Sequence, residues 1–164
     1  NYLKLYNILR KREVELIITE HPKLDIEVLK RFFKGHERII FVSNEEKFSV
    51  MVDHDLLVLP SYNENFANVV IECLSVGTPV LVSERVGLAD YVNTNNMGWV
   101  CKLGPKVIAQ KISDAYADVV KRDSITQLAP GQIRSDFNDE VLAKRHMELY
   151  EEVLRLHSEE QHRI

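Results

Sequence analysis

DLLVLPSYNENFANVVIECLSVGTPVLVS, residues 55–83, decides the fold. Its two ends, DLLVLP (55–60) and PVLVS (79–83), are short and almost continuously apolar. A strand with one wet face would alternate; an unbroken Val/Leu run marks a strand covered on both faces, as in parallel sheets. Between the runs a polar loop, Ser61 to Asn65, leads into a helical pattern over 67–76 that stops at Gly77, with Pro79 two residues on. Strand, helix and strand in this order make a parallel βαβ unit with a right-handed crossover.

The same alternation extends outward. Strands are expected at 14–20 (VELIITE), 38–43 (RIIFVS) and 98–102 (GWVCK), and helices at 23–34, 45–52, 88–92 and 105–122. A polar connection is expected over 123–134, where Pro130 and Gly131 fall, then a final amphipathic helix over 138–156 and a frayed tail, HSEEQHRI. The fold class is α/β, a doubly wound parallel sheet, whose ligands sit at the carboxyl ends of the strands.

At 164 residues the chain has the length of one domain. Charged residues make up 28% and hydrophobic residues 45%, the balance of an ordinary globular protein rather than a disordered one. Net charge is −4 and the basic residues are dispersed, which argues against nucleic-acid partners. Cys73 and Cys101 lie in apolar runs without C-x-x-C spacing and read as reduced core thiols of a cytoplasmic protein. No apolar run approaches the roughly 20 residues of a membrane span. The opening NYLKLYNILRKRE is amphipathic in the helical sense but lacks an initiator Met, an N-cap and a preceding strand, so the chain reads as part of a longer protein.

Several chemistries lack their motifs. There is no G-x-G-x-x-G, no G-x-x-x-x-G-K-[ST] and no H-E-x-x-H, and the six histidines are scattered, so neither a cofactor nor a metal is expected. Ser61, Ser75 and Ser83 are outside any G-x-S-x-G elbow and read as turn or helix-surface serines. Asp53 and Asp55 precede a strand instead of following it and read as solvated loop charges.

The helix at 67–76 holds the candidate site. Asn68, Glu72 and Ser75 are spaced i, i+4, i+7, which at about 100° per residue gathers them in one polar stripe on an otherwise apolar helix. Glu72 lies about one turn from the amino end, where unsatisfied N–H groups and the helix dipole attract anions. Carboxylates accept strong hydrogen bonds from sugar hydroxyls. Glu64 and Glu72 bracketing an anion-binding helix start therefore suggest a nucleoside diphosphate sugar; the alternative is a solvated Glu64 and a Glu72 paired with a Lys or Arg.

PSYNENFANVVIECLSVGTPVLVSERVGLADYV resembles the donor-binding domain of retaining glycosyltransferases of the glycosyl transferases group 1 family, whose signature is two glutamates separated by seven residues, here Glu64 and Glu72. The resemblance implies a Rossmann-like domain, one half of a two-domain GT-B type architecture. In that architecture residues 1–164 bind the donor, while the first strand, its basic Arg and Lys and the N-terminal acceptor domain precede Asn1. It implies a hexosyltransferase of polysaccharide or glycoconjugate biosynthesis, inactive as this chain alone. Glu64, the candidate catalytic residue, would contact the sugar hydroxyls, with N–H groups of Asn65, Phe66 and Ala67 facing the sugar. Asn68 and Val69 would offer N–H groups to the diphosphate, Glu72 would hold the ribose, and Ser43 and Asn44 would lie near the base. The donor would be a UDP- or GDP-sugar and no cofactor would be needed. Peripheral membrane association is common in the family where acceptors are lipid-linked.

This chain departs from the family in places. Asn65, Ala67 and Val86 stand where Gly is frequent, Ala89 and Asp90 stand for Pro and Glu, and Thr19, Glu20, His21 and Pro22 replace a Gly-Asp-Gly-Pro turn. Each lost Gly adds bulk where backbone approaches a ligand. The alternatives are a non-catalytic Rossmann-like binding or scaffold domain, and a nucleotide-sugar epimerase of the same architecture.

Overall fold

The computed structural model describes Leu16–Thr19, Ile39–Val42 and residues 46–161, with side chains over 46–157. The expected helix at 23–34, the amphipathic opening, and Ser43 and Asn44 lie outside the described residues. Strands β1 (Leu16–Thr19) and β2 (Ile39–Val42) pair in parallel. Helix α1 (Lys47–Val52) follows, and then β3 (Leu57–Leu59), α2 (Asn68–Ser75), β4 (Val80–Ser83), α3 (Ala89–Thr94) and β5 (Gly98–Cys101). Strands β3, β4 and β5 form a parallel sheet in that order, with Leu57 opposite Val80 and Val80 opposite Gly98. Every expected strand is present, one or two residues shorter at its ends.

The unbroken apolar run of β4 has the anticipated cause. Val80 and Val82 face a core that includes Val70, Cys73 and Leu74 of α2 and Ala89 and Val92 of α3. Leu81, one residue out of phase, faces a smaller core with Cys101 and with Ile108 and Ala109 of the helix after β5. All four residues of β4 are buried. Period-two alternation is invisible in a strand that is dry on both sides.

Beyond β5 the expectation is corrected. The single helix at 105–122 is two helices, α4 (Pro105–Ala117) and α5 (Val119–Asp136), broken at Asp118. Asp118 has φ −88° and ψ 68°, and its carboxylate accepts from the N–H of Lys121 at 3.1 Å, an N-cap that starts a new helix. The expected polar connection at 123–134 is the body of α5, with Pro130 inside it. Ile125, Ala129 and Ile133, spaced by four, are buried in the main core, and that burial overrides the weak helix propensity of the stretch.

Helix α6 (Asp139–Gln161) begins at Asn138, whose Oδ1 accepts from the N–H of Val141 at 2.9 Å and whose Nδ2 reaches the carbonyl oxygens of Arg134 and Ser135. One side chain thus closes α5 and opens α6. The tail expected to fray is helical as far as Gln161.

Candidate functional site

The segment between β3 and α2, residues 60–67, is pinned to the turn after β4. Glu64 and Val86 form a parallel bridge. The Glu64 N–H donates to the Arg85 carbonyl at 3.3 Å, and the Gly87 N–H to the Glu64 carbonyl at 2.7 Å. The backbone crosses Gly87 so closely that a Cβ there would lie 1.7 Å from the Asn65 carbonyl oxygen, so no other residue fits without moving the loop. At the start of the segment the fully buried Ser83 hydroxyl donates to the Ser61 carbonyl at 2.5 Å. Ser83 is therefore a buried clamp, not the turn or helix-surface serine anticipated, whereas Ser75 is exposed and donates to the Glu72 carbonyl, as a helix-surface serine does.

Ala67 ends the segment with φ 60° and ψ 66°, in the left-handed region, and is 5% exposed. A non-glycine residue there is strained by about 1–2 kcal/mol and persists only where its surroundings hold it. Its carbonyl accepts from the N–H of Val70 at 2.9 Å, closing the first turn of α2. Among the described residues no side chain caps the helix. Among the described residues no group accepts from the N–H of Asn65, Phe66, Ala67, Asn68 or Val69. Five consecutive donors lead into a helix start, where the macrodipole adds partial positive charge.

The polar stripe is present: Asn68 and Ser75 are exposed and Glu72 half-exposed, while Val70, Cys73 and Leu74 are buried. Glu72 has a partner in the protein, the Lys or Arg pairing that the sequence left open as the alternative to a ligand. Lys47 Nζ lies 2.6 Å from Glu72 Oε1, with the two side chains 25% and 27% exposed. Lys47 is the first residue of α1, so the pair ties the start of that helix to α2. Oε2 of Glu72 has no partner among the described residues, and neither has the half-exposed Glu64 carboxylate. Glu72 also bears on Cys73: burial first, and then the neighbouring carboxylate, push that thiol up to about 12.

Phe66 leaves the loop 46% exposed and meets Phe137, the first of the two residues between α5 and α6, edge to face at 5.9 Å. Tyr91 of α3 meets Phe137 in the same manner at 5.1 Å. The Tyr91 hydroxyl donates to Asp136 Oδ2 at 2.7 Å, and Gln132 Nε2 reaches the same oxygen at 2.8 Å. These bonds hold Asp136 below the ordinary carboxylate range, and burial with the Asp136 bond raises the Tyr91 phenol, which remains a neutral donor.

The structure therefore brings Glu64, Asn65, Phe66, Ala67, Asn68, Val69 and Glu72 together at one loop and helix start. Sequence reasoning missed Lys47, Ser83 and Phe137. For Ser83 a signal existed, a hydroxyl ending an otherwise apolar buried strand; Lys47 and Phe137 are far from the motif in sequence and carry none. Asp53 and Asp55 are exposed, as anticipated. Among the described residues no three His, Cys, Asp or Glu side chains cluster as metal ligands, and no helix is long and apolar enough to cross a membrane.

Comparison with known proteins bears on the fold and the family. The chain is 28% identical over 102 residues to the N,N'-diacetylbacillosaminyl-diphospho-undecaprenol alpha-1,3-N-acetylgalactosaminyltransferase of Campylobacter jejuni, covering 62% of this chain and 27% of that protein. The chain spans about a quarter to a third of the length of the curated relatives it matches. Among solved structures it superposes on a glycosyltransferase from Rickettsia africae with a TM-score of 0.75 at 16% identity, over 93% of this chain and 43% of that one. It superposes on Anabaena HepE in complex with UDP and glucose with a TM-score of 0.73 at 20% identity, over 91% and 44%. At these identities the structures establish a shared fold. The model of the glycosyl transferases group 1 family matches residues 20–131, more than half of the sequence, and the chain belongs to that family.

Proposed function

We propose that residues 1–164 are the donor-binding half of a retaining glycosyltransferase that moves a sugar from a nucleoside diphosphate sugar to a hydroxyl acceptor. The observation that carries this reading is the run of five N–H groups from Asn65 to Val69 that find no acceptor among the described residues, flanked by Glu64 and Glu72. A diphosphate supplies the anion such a run attracts. Asn68 and Val69 donate to it, while Asn65, Phe66 and Ala67 face the sugar. Glu64 accepts from the sugar hydroxyls. Glu72 Oε2, left open by Lys47, accepts from the ribose, and the Lys47 ammonium fixes the carboxylate and adds positive charge close to the nucleotide.

Catalysis in this reading is positioning of the donor and stabilisation of charge on the departing diphosphate by preorganised dipoles. No cofactor or metal is required. Retention of configuration rests on family membership and the Glu64/Glu72 pair. The acceptor domain, a cytoplasmic location and any peripheral attachment to membranes belong to the whole protein and to the same proposal. The Anabaena relative, solved with UDP and glucose, supports a UDP-sugar as the first donor to try.

The Lys47–Glu72 pair favours a second reading, a binding or scaffold domain in which Glu72 is a structural anion. Nucleotide titration separates the two. UDP or GDP is expected to shift the NMR signals of residues 64–72, and Glu72→Ala to weaken binding by about tenfold or more, the effect of one lost charge-assisted hydrogen bond. If millimolar UDP and GDP leave those signals unmoved in the intact protein, the donor-binding reading fails.

A further inference from the structure

We infer that Phe137, a residue outside the loop and helix start, is a positioning residue that holds Ala67 in its left-handed conformation by way of Phe66, and so keeps the N–H groups of Asn65 to Val69 aligned; the functional half of this inference rests on the donor-site reading above.

Ala67 is the least comfortable backbone position of the site. Among the described residues only Ala67 and Asn96 are non-glycine residues with positive φ, and Asn is the residue type that tolerates that region, whereas the Ala methyl offers no polar group to offset the strain. An alanine at φ 60° relaxes unless its neighbours prevent it. On its amino side the chain is fixed at Glu64 by Val86 and at Asn65 by the close passage over Gly87. Phe66 is the one residue between that clamp and Ala67. Among the described residues nothing accepts from its backbone N–H, and the ring of its side chain rests edge-to-face on Phe137.

Phe137 is itself immobilised from three directions. Its N–H donates to the Ile133 carbonyl at 3.0 Å, Tyr91 packs against its ring, and the neighbours on either side are tied down, Asp136 by Tyr91 and Gln132 and Asn138 by its double cap. A rigid elbow thus braces a strained loop. The Val70 N–H bond to the Ala67 carbonyl depends on the conformation of residue 67 and reports it directly.

The test uses amide hydrogen exchange and alanine-selective isotopic labelling of the intact protein without nucleotide. In Phe137→Ala the exchange of Val70 is expected to rise at least tenfold, and the Ala67 Cα and Cβ shifts to leave left-handed values, while the core amide of Val82 stays protected. Adding Ala67→Gly, which makes φ 60° unstrained, is expected to restore Val70 protection. Should Phe137→Ala not fold, Phe137→Leu, which keeps apolar bulk without the ring edge, carries the same comparison. The inference is overturned if Val70 is unchanged, if Val82 loses protection equally, or if Ala67→Gly restores nothing. In a parallel titration with UDP-glucose, Phe137→Ala should weaken binding about tenfold and the double variant should recover it. If the parent fails to bind UDP-glucose or GDP, the donor-site reading fails while the backbone coupling stands on the exchange result.

Discussion

At the scale of single residues, the site is a set of local conflicts resolved by neighbours. Ala67 is buried and left-handed, a conformation costing about 1–2 kcal/mol that glycine adopts freely. Glycine also makes the unfolded chain more flexible, which takes back part of the gain. Ala67→Gly is therefore expected to stabilise the protein by about 0.5–1 kcal/mol, read as a shift of the urea midpoint at unchanged slope. Cys73 makes the opposite point. It is 1% exposed and its thiol is pushed up to about 12, so at neutral pH almost no thiolate exists to react. Alkylation of Cys73 by iodoacetamide should proceed at the rate of unfolding, and rapid modification of the native protein would contradict its burial.

At the scale of elements, what the sequence announced and what it hid divide along physical lines. The βαβ unit at 55–83 was legible because dry strands and a terminated helix each leave a compositional mark, as were the Glu64/Glu72 pair and its loop. Helix α5 was not, because Pro130 and Gly131 read as a break while its stabilisation comes from burial against α2. The proline withholds an N–H from the Thr126 carbonyl. That oxygen faces Gly77, where an added Cβ would approach it to 2.8 Å, and Gly77 itself has φ +86°. Gly77→Ala therefore combines backbone strain with a steric clash, and a loss of about 3 kcal/mol is expected in denaturant unfolding.

Of the α5–α6 elbow only the start of α6 at Asn138 was legible in sequence, and the elbow has a pH signature. Asp136 is held below the unfolded carboxylate value of about 3.9 by Gln132 and Tyr91. A depressed folded pKa adds stability that is fully present above the unfolded value and disappears as pH falls through the folded one. Tyr91→Phe removes one of the two bonds, so the variant should be less stable than the parent at pH 7, and the gap should narrow as pH falls from about 5 through the carboxylate range. A gap that is constant across that range would mean that the hydroxyl acts only through packing.

At the scale of the whole molecule, the α/β body and α6 are stabilised in different ways. The body buries its apolar residues from Met51 to Ile133 in one principal core around β4. Helix α6 turns most of its apolar residues outward: Met147 is 59% exposed, Tyr150 62% and Leu154 69%, with Leu149, Val153 and Leu156 each at least half exposed. Burying six side chains of this size would contribute about 10 kcal/mol. In this chain that contribution is absent, and past its first turn α6 is kept helical by the Asn138 cap, by good helix formers and by weak surface pairs such as Lys144–Glu148 at 3.9 Å. Deleting residues 145–164 from this chain should accordingly change the unfolding free energy of the body by less than about 1 kcal/mol, measured by urea denaturation followed at Trp99. A loss of several kcal/mol would mean that the apolar face of α6 is covered within the chain, and the helix would then belong to the core.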